Sequence, residues 1–197
     1  MDKISKISAR QVLDSRGNPT IYAIVKTSSG NYGYSCVPSG ASTGSKEALE
    51  MRDGDVNKFN GKGVLKAINN IHNEITPTIL GMEISDINLI DSKMIELDGT
   101  EFKSRLGANS ILAVSMACAR AGAASSGIEL FRFIRNLYDP KKTEFKLPNP
   151  MFNVLNGGSH AFNSTDFQEY MVVPTGIDNF ENSISAGFEI YNKLKSI

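Results

Sequence analysis

The chain has 197 residues, in which 21 Lys and Arg residues balance 21 Asp and Glu residues, so its formal net charge is zero. A neutral chain lacks the basic field that attracts nucleic acid, and we expect no nucleic-acid partner. Its 41% of hydrophobic residues suffices for a core, which excludes disorder of the whole chain. No apolar run approaches the roughly 18 residues of a membrane helix and no secretory signal opens the sequence, so we expect a soluble, cytoplasmic protein.

The first 37 residues predict a three-stranded meander. β-Branched and aromatic residues recur in three runs, and turn-forming residues at 16–19 and 28–31 lie between them. Cys36 falls in the third run and Cys118 in a later apolar segment. We interpret both cysteines as small buried hydrophobic residues rather than as disulfide partners.

Helices are predicted between residues 64 and 137. Apolar residues three or four apart predict one helix, a break at Thr76–Pro77 and Gly81, and a second helix with Ser85 as its cap. The segment 109–126 is crowded with small residues, which predicts a helix surrounded by protein, and a short amphipathic helix follows it.

A polar, proline-containing segment at residues 138–147 predicts a domain boundary. We therefore assign residues 1–138 to a first domain and residues 139–197 to a second one. The second begins with two apolar, strand-like runs and ends with an amphipathic helix, and no Gly or Pro follows that helix to stop it. We expect the sequence to be cut short within the second domain.

Seven small residues, 39–45, follow the third strand. They do not form a phosphate-binding P-loop, because that motif needs four residues between its glycines and a lysine directly after the second. The hydroxyls of Ser39 and Ser42 suit the cap of a helical turn at residues 46–50, and residue types alone favour this interpretation. Hydroxyl and carbonyl oxygens on such a loop are also suitable ligands for Mg²⁺.

The two histidines differ in their surroundings. His72 lies on a charged helix face and is predicted to be a solvated residue. His160 follows the first strand-like run of the second domain, and Gln168 and Glu169 directly precede the next run. These three polar side chains could converge at neighbouring strand ends, where barrel enzymes place ligand groups, but an ordinary polar loop explains them equally well.

Four segments taken together closely resemble the enolase family, and they occur in order along the whole chain: residues 14–20, 37–50, 106–112 and 156–161. The resemblance implies an α+β amino-terminal domain, with a three-stranded meander plus helices. The first strands and helix of an enolase-type β/α (TIM-like) barrel are expected to follow it. This expectation agrees with the pattern of strands and helices described above.

The resemblance also implies a chemistry. Enolases are hydro-lyases of glycolysis and gluconeogenesis that interconvert 2-phosphoglycerate and phosphoenolpyruvate with Mg²⁺, and they form dimers or higher homo-oligomers. In this sequence Ser39 inherits the role of a ligand to the second Mg²⁺. His160, Gln168 and Glu169 inherit contacts with the substrate, and Glu169 would also help to place the departing hydroxyl or the water.

The sequence departs from the family in two respects. Phe162 stands near His160 where relatives usually carry Asp or Gly. The resemblance also assigns the lysine base, the glutamate acid, the three carboxylate ligands of the first metal and the phosphate-binding groups to positions beyond residue 197. We therefore expect the polypeptide 1–197 to be inactive alone. The alternative is a non-catalytic binding or assembly module in which residues 1–138 fold alone, with Arg16 and the first strands making the contacts.

Overall fold

The computed structural model describes residues 1–40, 44–158 and 164–197, which form two compact units, Met1–Lys142 and Thr143–Ile197. Over these ranges no single helix is long and apolar enough to cross a membrane. Two consecutive helices, Ala108–Ser126 and Leu130–Tyr138, reach that length and composition only when taken together, and the chain bends by 101° between them.

The first unit contains an antiparallel sheet with the strand order β1-β2-β3, which confirms the predicted meander: Ile4–Leu13, Pro19–Thr27 and Tyr32–Cys36. Alternate residues of β2 are fully buried, among them Ile21, Ala23 and Val25. This period of two places one face of the sheet against the core. The glycines at Gly17 and Gly30 turn the chain between strands with positive φ angles.

The predicted burial of Cys36 is wrong, whereas Cys118 is buried as predicted. In β3, Gly33 and Ser35 face the core, so Cys36 falls on the opposite face and is exposed. The exposure of Cys36 is therefore set by the alternation of side chains along the strand and not by the apolar character of cysteine. Burial raises the pKa of the Cys118 thiol to about 12.

Five α-helices lie in the described residues of the first unit, α1 to α5: Leu65–Asn70, Thr76–Ile79, Ile87–Asp98, Ala108–Ser126 and Leu130–Tyr138. The predicted break is found at Gly81, which has a φ of 82° just after α2, but not at Thr76–Pro77, because a π-helical turn at Ile71–Ile75 joins α1 directly to α2. This wider turn relieves the clash that the Pro77 ring would make in a regular helix. The predicted cap Ser85 is also wrong, since the side chain of Asp86 accepts the hydrogen bond from the Leu89 amide.

Helix α4 packs directly against β2 and β3. A Cβ atom at Gly33 of β3 would overlap the α4 backbone at Ala117 and Ala121. Both alanines are fully buried, as the small residues of this helix predicted. The absence of a side chain at Gly33 thus allows the helix and the sheet to touch through their backbones.

The second unit consists of the strands β4, Phe152–Asn156, and β5, Glu169–Val172, followed by helix α6, Phe180–Lys195. The two strands pair in antiparallel fashion. Gly187 of α6 is buried directly against the ring of Phe152, where a Cβ atom would overlap the ring. The glycine inside this helix is therefore the surface on which β4 packs.

The carboxylate of Asp2 ties the amino terminus to two other parts of the first unit. It accepts hydrogen bonds from Ser28 Oγ (2.9 Å) and from the Ser29 amide (3.0 Å) in the turn after β2, and from Ser125 Oγ (2.8 Å) at the end of α4. Desolvation acts to raise the pKa of Asp2, but hydrogen bonds from Ser29, Thr27 and Ser125 outweigh it and hold the pKa well below its ordinary value.

We expect Gly33→Ala to lower the free energy of unfolding by about 1–3 kcal/mol, because the added methyl group forces β3 away from α4. Gly44→Ala is the matched control, since a Cβ atom there meets Glu47 at an ordinary 3.6 Å. The control should change stability by less than about 0.5 kcal/mol. Urea unfolding followed by circular dichroism measures both, and equal effects of the two variants would contradict the backbone contact.

Asp2→Asn should lower the melting temperature at pH 7 and have progressively less effect as the pH falls below 3.8, the ordinary pKa of aspartate. The sign follows because a carboxylate with a lowered pKa in the folded state stabilises that state fully above its unfolded pKa, and this stabilisation declines as the pH falls towards the folded pKa. Thermal melts of both proteins between pH 7 and pH 3 test this, with exposed Asp139→Asn as the control. A difference that persists undiminished at pH 3 would refute it.

Candidate functional site

The segment 49–53 is held in place by the start of helix α4. The Met51 amide donates to Asn109 Oδ1 (3.0 Å), and Asn109 Nδ2 donates back to the Met51 carbonyl (3.0 Å). The Ala108 amide donates to the Leu49 carbonyl (2.8 Å). Asn109 is buried, so these bonds are shielded from water. The motif at residues 106–112 therefore fixes the backbone that carries the charged residues on either side of Met51.

The Arg52 guanidinium forms hydrogen bonds with four other residues of the chain. Its Nη1 donates to the carbonyls of Pro19 (2.6 Å) and Lys62 (2.8 Å). Its Nη2 donates to Glu50 Oε1 (2.6 Å) and to Ser39 Oγ (2.9 Å). The Arg52 and Glu50 side chains are only 24% and 28% exposed. Solvent screens this pair less than a surface pair, which makes Arg52 the fixed centre of the cluster.

Every polar atom of Ser39 beyond its amide is bonded to a charged group. The hydroxyl donates to the Glu50 carboxylate, with distances of 3.0 and 2.9 Å to its two oxygens, and accepts from Arg52. The Ser39 carbonyl accepts from Arg16 Nη2 (2.6 Å). A conformation held by three charged partners is well determined, although it lies in a loop.

The predicted helical turn at residues 46–50 is absent, so Ser39 does not cap it. The chain makes a turn at 44–47, closed by the Glu47 amide on the Gly44 carbonyl (3.2 Å), and continues as an irregular segment. Residues 46–50 therefore do not form the predicted helical turn. The Glu50 side chain is instead hydrogen-bonded to Ser39 and Arg52 from an irregular backbone. Ser42, the second predicted cap, lies outside the described residues.

A cavity of about 340 Å³ adjoins Ser39 and is lined by three cationic side chains, Arg16, Arg52 and Lys62, and by Glu50. Arg16 is 43% exposed and reaches across from the turn after β1. Its Nη2 lies 3.8 Å from Asp14 Oδ2. Lys62 Nζ donates to the side chain of Asn18 (2.9 Å). The walls therefore carry both charges, with the cations in excess.

This arrangement does not fit Mg²⁺ at Ser39. The ion takes oxygen ligands, and both oxygens of Ser39 accept hydrogen bonds from guanidinium groups. A dication beside them would meet two positive charges at close range. Over the described ranges there is also no group of three or more His, Cys, Asp and Glu side chains that could hold a metal ion.

In the second unit, Gln168 and Glu169 stand together where β5 begins. Glu169 lies opposite Asn156, the last residue of β4, and is exposed. The Gly157 amide donates to the Gln168 carbonyl (2.9 Å), and the Gly158 amide donates to the Thr165 carbonyl (2.7 Å).

These bonds hold both ends of the connection between β4 and β5. A Cβ atom at Gly157 would overlap the carbonyls of Phe167 and Thr165, so the connection can close only on a glycine. His160 and Phe162 lie outside the described residues. Gln168 and Glu169 are neighbours in the chain at the start of β5, whereas Ser39 lies in the first unit among Arg16, Glu50 and Arg52.

Sequence reasoning gave no site role to Glu50, Arg52 or Lys62. The sequence does contain a signal for these residues. Glu50, Arg52 and Asp53 carry alternating charges, and residues 50–53 show no helical periodicity that would place them on a solvated helix face. His72 is exposed as predicted, and its Nε2 accepts a hydrogen bond from the Ala9 amide at the sheet edge (3.1 Å).

Two family models match the chain. The model of the enolase N-terminal domain matches residues 4–134, and that of the enolase C-terminal TIM barrel domain matches residues 144–197. The first match covers the three-stranded sheet with its helices, and the second covers β4, β5 and α6, which form no closed barrel in the described residues. The predicted fold class is therefore confirmed, and the chain belongs to the enolase family.

Proposed function

We propose that this chain supplies the amino-terminal domain and the first barrel strands of an enzyme that reversibly dehydrates 2-phosphoglycerate to phosphoenolpyruvate. The observation that carries the proposal is the match to both enolase domains in the order of the chain. The enolase family generally uses Mg²⁺ and commonly forms oligomers. We extend both properties to this enzyme, and we place it in the cytoplasm, in glycolysis and gluconeogenesis.

The proposed roles of the second unit follow from the chemistry of the reaction. Dehydration removes a weakly acidic proton next to a carboxylate and expels a hydroxyl group, which leaves more readily when it is protonated or hydrogen-bonded. Glu169 is exposed at the start of β5 and can orient that hydroxyl or the incoming water. Gln168 beside it has an amide that both donates and accepts hydrogen bonds. His160 completes the proposed substrate contacts.

The polypeptide 1–197 should be inactive when it is alone. The base, the acid and the ligands of the first metal are assigned by the resemblance to positions that these residues do not include. Activity is therefore proposed for the protein in which a complete barrel surrounds Glu169.

The experiment joins residues 1–197 to the remaining barrel portion of a characterised enolase and follows phosphoenolpyruvate by its ultraviolet absorbance. The joined protein should form phosphoenolpyruvate with Mg²⁺, and the polypeptide 1–197 should not. Glu169→Gln should lower kcat by about 10²–10⁴-fold, the range for loss of one group that moves or orients a proton. Exposed Glu181→Gln on α6 is the matched control and should keep full activity.

A second candidate is supported by the core of the first unit. All the buried apolar residues of the main cluster lie between Ile4 and Phe133, so this unit has a hydrophobic core of its own. Residues 1–138 could then serve as a non-catalytic binding or assembly module. A joined protein that melts cooperatively but forms no phosphoenolpyruvate would contradict the enzymatic proposal and favour this one. Full activity in Glu169→Gln would contradict the role of Glu169.

A further inference from the structure

We propose that Arg16 acts as an internal cation at Ser39: its guanidinium occupies the oxygen atoms that a divalent cation would use and must leave them before such a cation binds. The inference rests on the proposed function only for the role that it gives to Ser39. It concerns metal binding by residues of the first unit, so it can fail or hold independently of catalysis by the joined enzyme.

Oxygen atoms surround the Arg16 guanidinium. Nη2 donates to the carbonyls of Ser39 (2.6 Å) and Gly40 (3.3 Å), and it lies 3.8 Å from Asp14 Oδ2. Two carbonyl oxygens and one carboxylate oxygen are the hard ligands that Mg²⁺ takes in proteins. The positive charge of Arg16 therefore stands among oxygens suited to a small cation.

Asp14, one member of this oxygen set, is held independently of the Arg16 side chain. Asp14 Oδ1 accepts hydrogen bonds from the backbone amides of Arg16 (2.8 Å) and Asn18 (2.9 Å). The hydrogen bond from the Asn18 amide is the main cause of the lowered pKa of Asp14, and the positive charge of the Arg16 guanidinium lowers it further. The Ser39 hydroxyl is held separately by Glu50 and Arg52. A substitution that removes only the guanidinium should therefore leave Asp14 and the Ser39 hydroxyl in place.

Arg16 is held by fewer contacts than Arg52 and is more exposed. Arg52 donates to four acceptors and is 24% exposed, whereas Arg16 is 43% exposed at the edge of the cavity. Arg16 leaves its partners more readily than Arg52 does, because it has two carbonyl acceptors and one exposed ion pair, and such a pair contributes at most about 1 kcal/mol. With Arg16 withdrawn, the cavity wall keeps Arg52, Lys62 and Glu50, and Asp14, whose charge interacts with that of Arg52, offsets the remaining positive charge.

Two variants separate the charge of Arg16 from its hydrogen bonds. Arg16→Gln keeps an amide donor for the Ser39 and Gly40 carbonyls but removes the charge. Arg16→Lys keeps the charge and a donor. A purely structural role for Arg16 predicts that both variants resemble the wild type in metal binding, whereas cation exclusion predicts a difference between them. Arg16→Met serves as a second uncharged variant if Arg16→Gln does not fold, as judged from the dispersion of its ¹⁵N NMR spectrum.

The experiment is a titration of ¹⁵N-labelled polypeptide 1–197 with MgCl₂, read from the amide signals of Ser39 and Gly40. Wild type and Arg16→Lys should show no saturable shift. Arg16→Gln and Arg16→Met should show a saturable shift, with a Kd at least about tenfold below the lower limit that the wild-type titration sets, the effect of removing one unit charge near a dication. Asp14→Asn in the Arg16→Gln background should abolish the shift.

Two outcomes would overturn the inference. The first is that the uncharged variants respond to Mg²⁺ as the wild type does, and the second is that Arg16→Lys binds Mg²⁺ as tightly as Arg16→Gln does. Neither outcome bears on phosphoenolpyruvate formation by the joined protein, so this test and that of the proposed function fail separately.

Discussion

The candidate site in the first unit depends on one guanidinium group. Arg52 bonds to the start of β2 at Pro19, to the backbone at Lys62, and to the side chains of Ser39 and Glu50. Glu50 is two residues from Arg52, but the other three partners lie 10 to 33 positions away, and ordinary loop segments carry most of the four. A charge-assisted network of this kind contributes more than its separate bonds because the partly buried donors and acceptors would otherwise lack partners. It gives Ser39 a defined conformation without a helix or strand around it.

The rest of the first unit brings the parts of this network together. Gly33 lets α4 lie directly on the sheet, and Asn109 at the start of α4 holds the segment that contains Glu50 and Arg52. The three enolase-like segments of this unit therefore act on one place, although sequence shows them only as separate motifs. The same placement explains why Mg²⁺ does not fit at Ser39 as the residues stand, and why Arg16 decides whether a cation can enter.

The sequence predicted those elements whose cause is local. The β-branched and aromatic residues of β2 predicted a strand and the small residues of α4 predicted a buried helix, and both predictions are confirmed. Where tertiary contacts decide, local rules failed. Pro77 ends no helix because a π-turn precedes it, and Cys36 is exposed because its strand turns it away from the core. The hydrogen bonds of Arg52 and Glu50 with Ser39 join residues up to 13 positions apart through an irregular segment. Such a segment has no sequence periodicity from which these contacts could be predicted.

The most direct test of this account is the coupling free energy between Ser39 and Glu50, from a double-mutant cycle of Ser39→Ala and Glu50→Ala in urea unfolding of residues 1–197. A bond that holds Ser39 in the metal-free protein predicts a coupling of about 1 kcal/mol. If the two substitutions are additive within about 0.3 kcal/mol, Ser39 is not held by this network and the account of the site is contradicted.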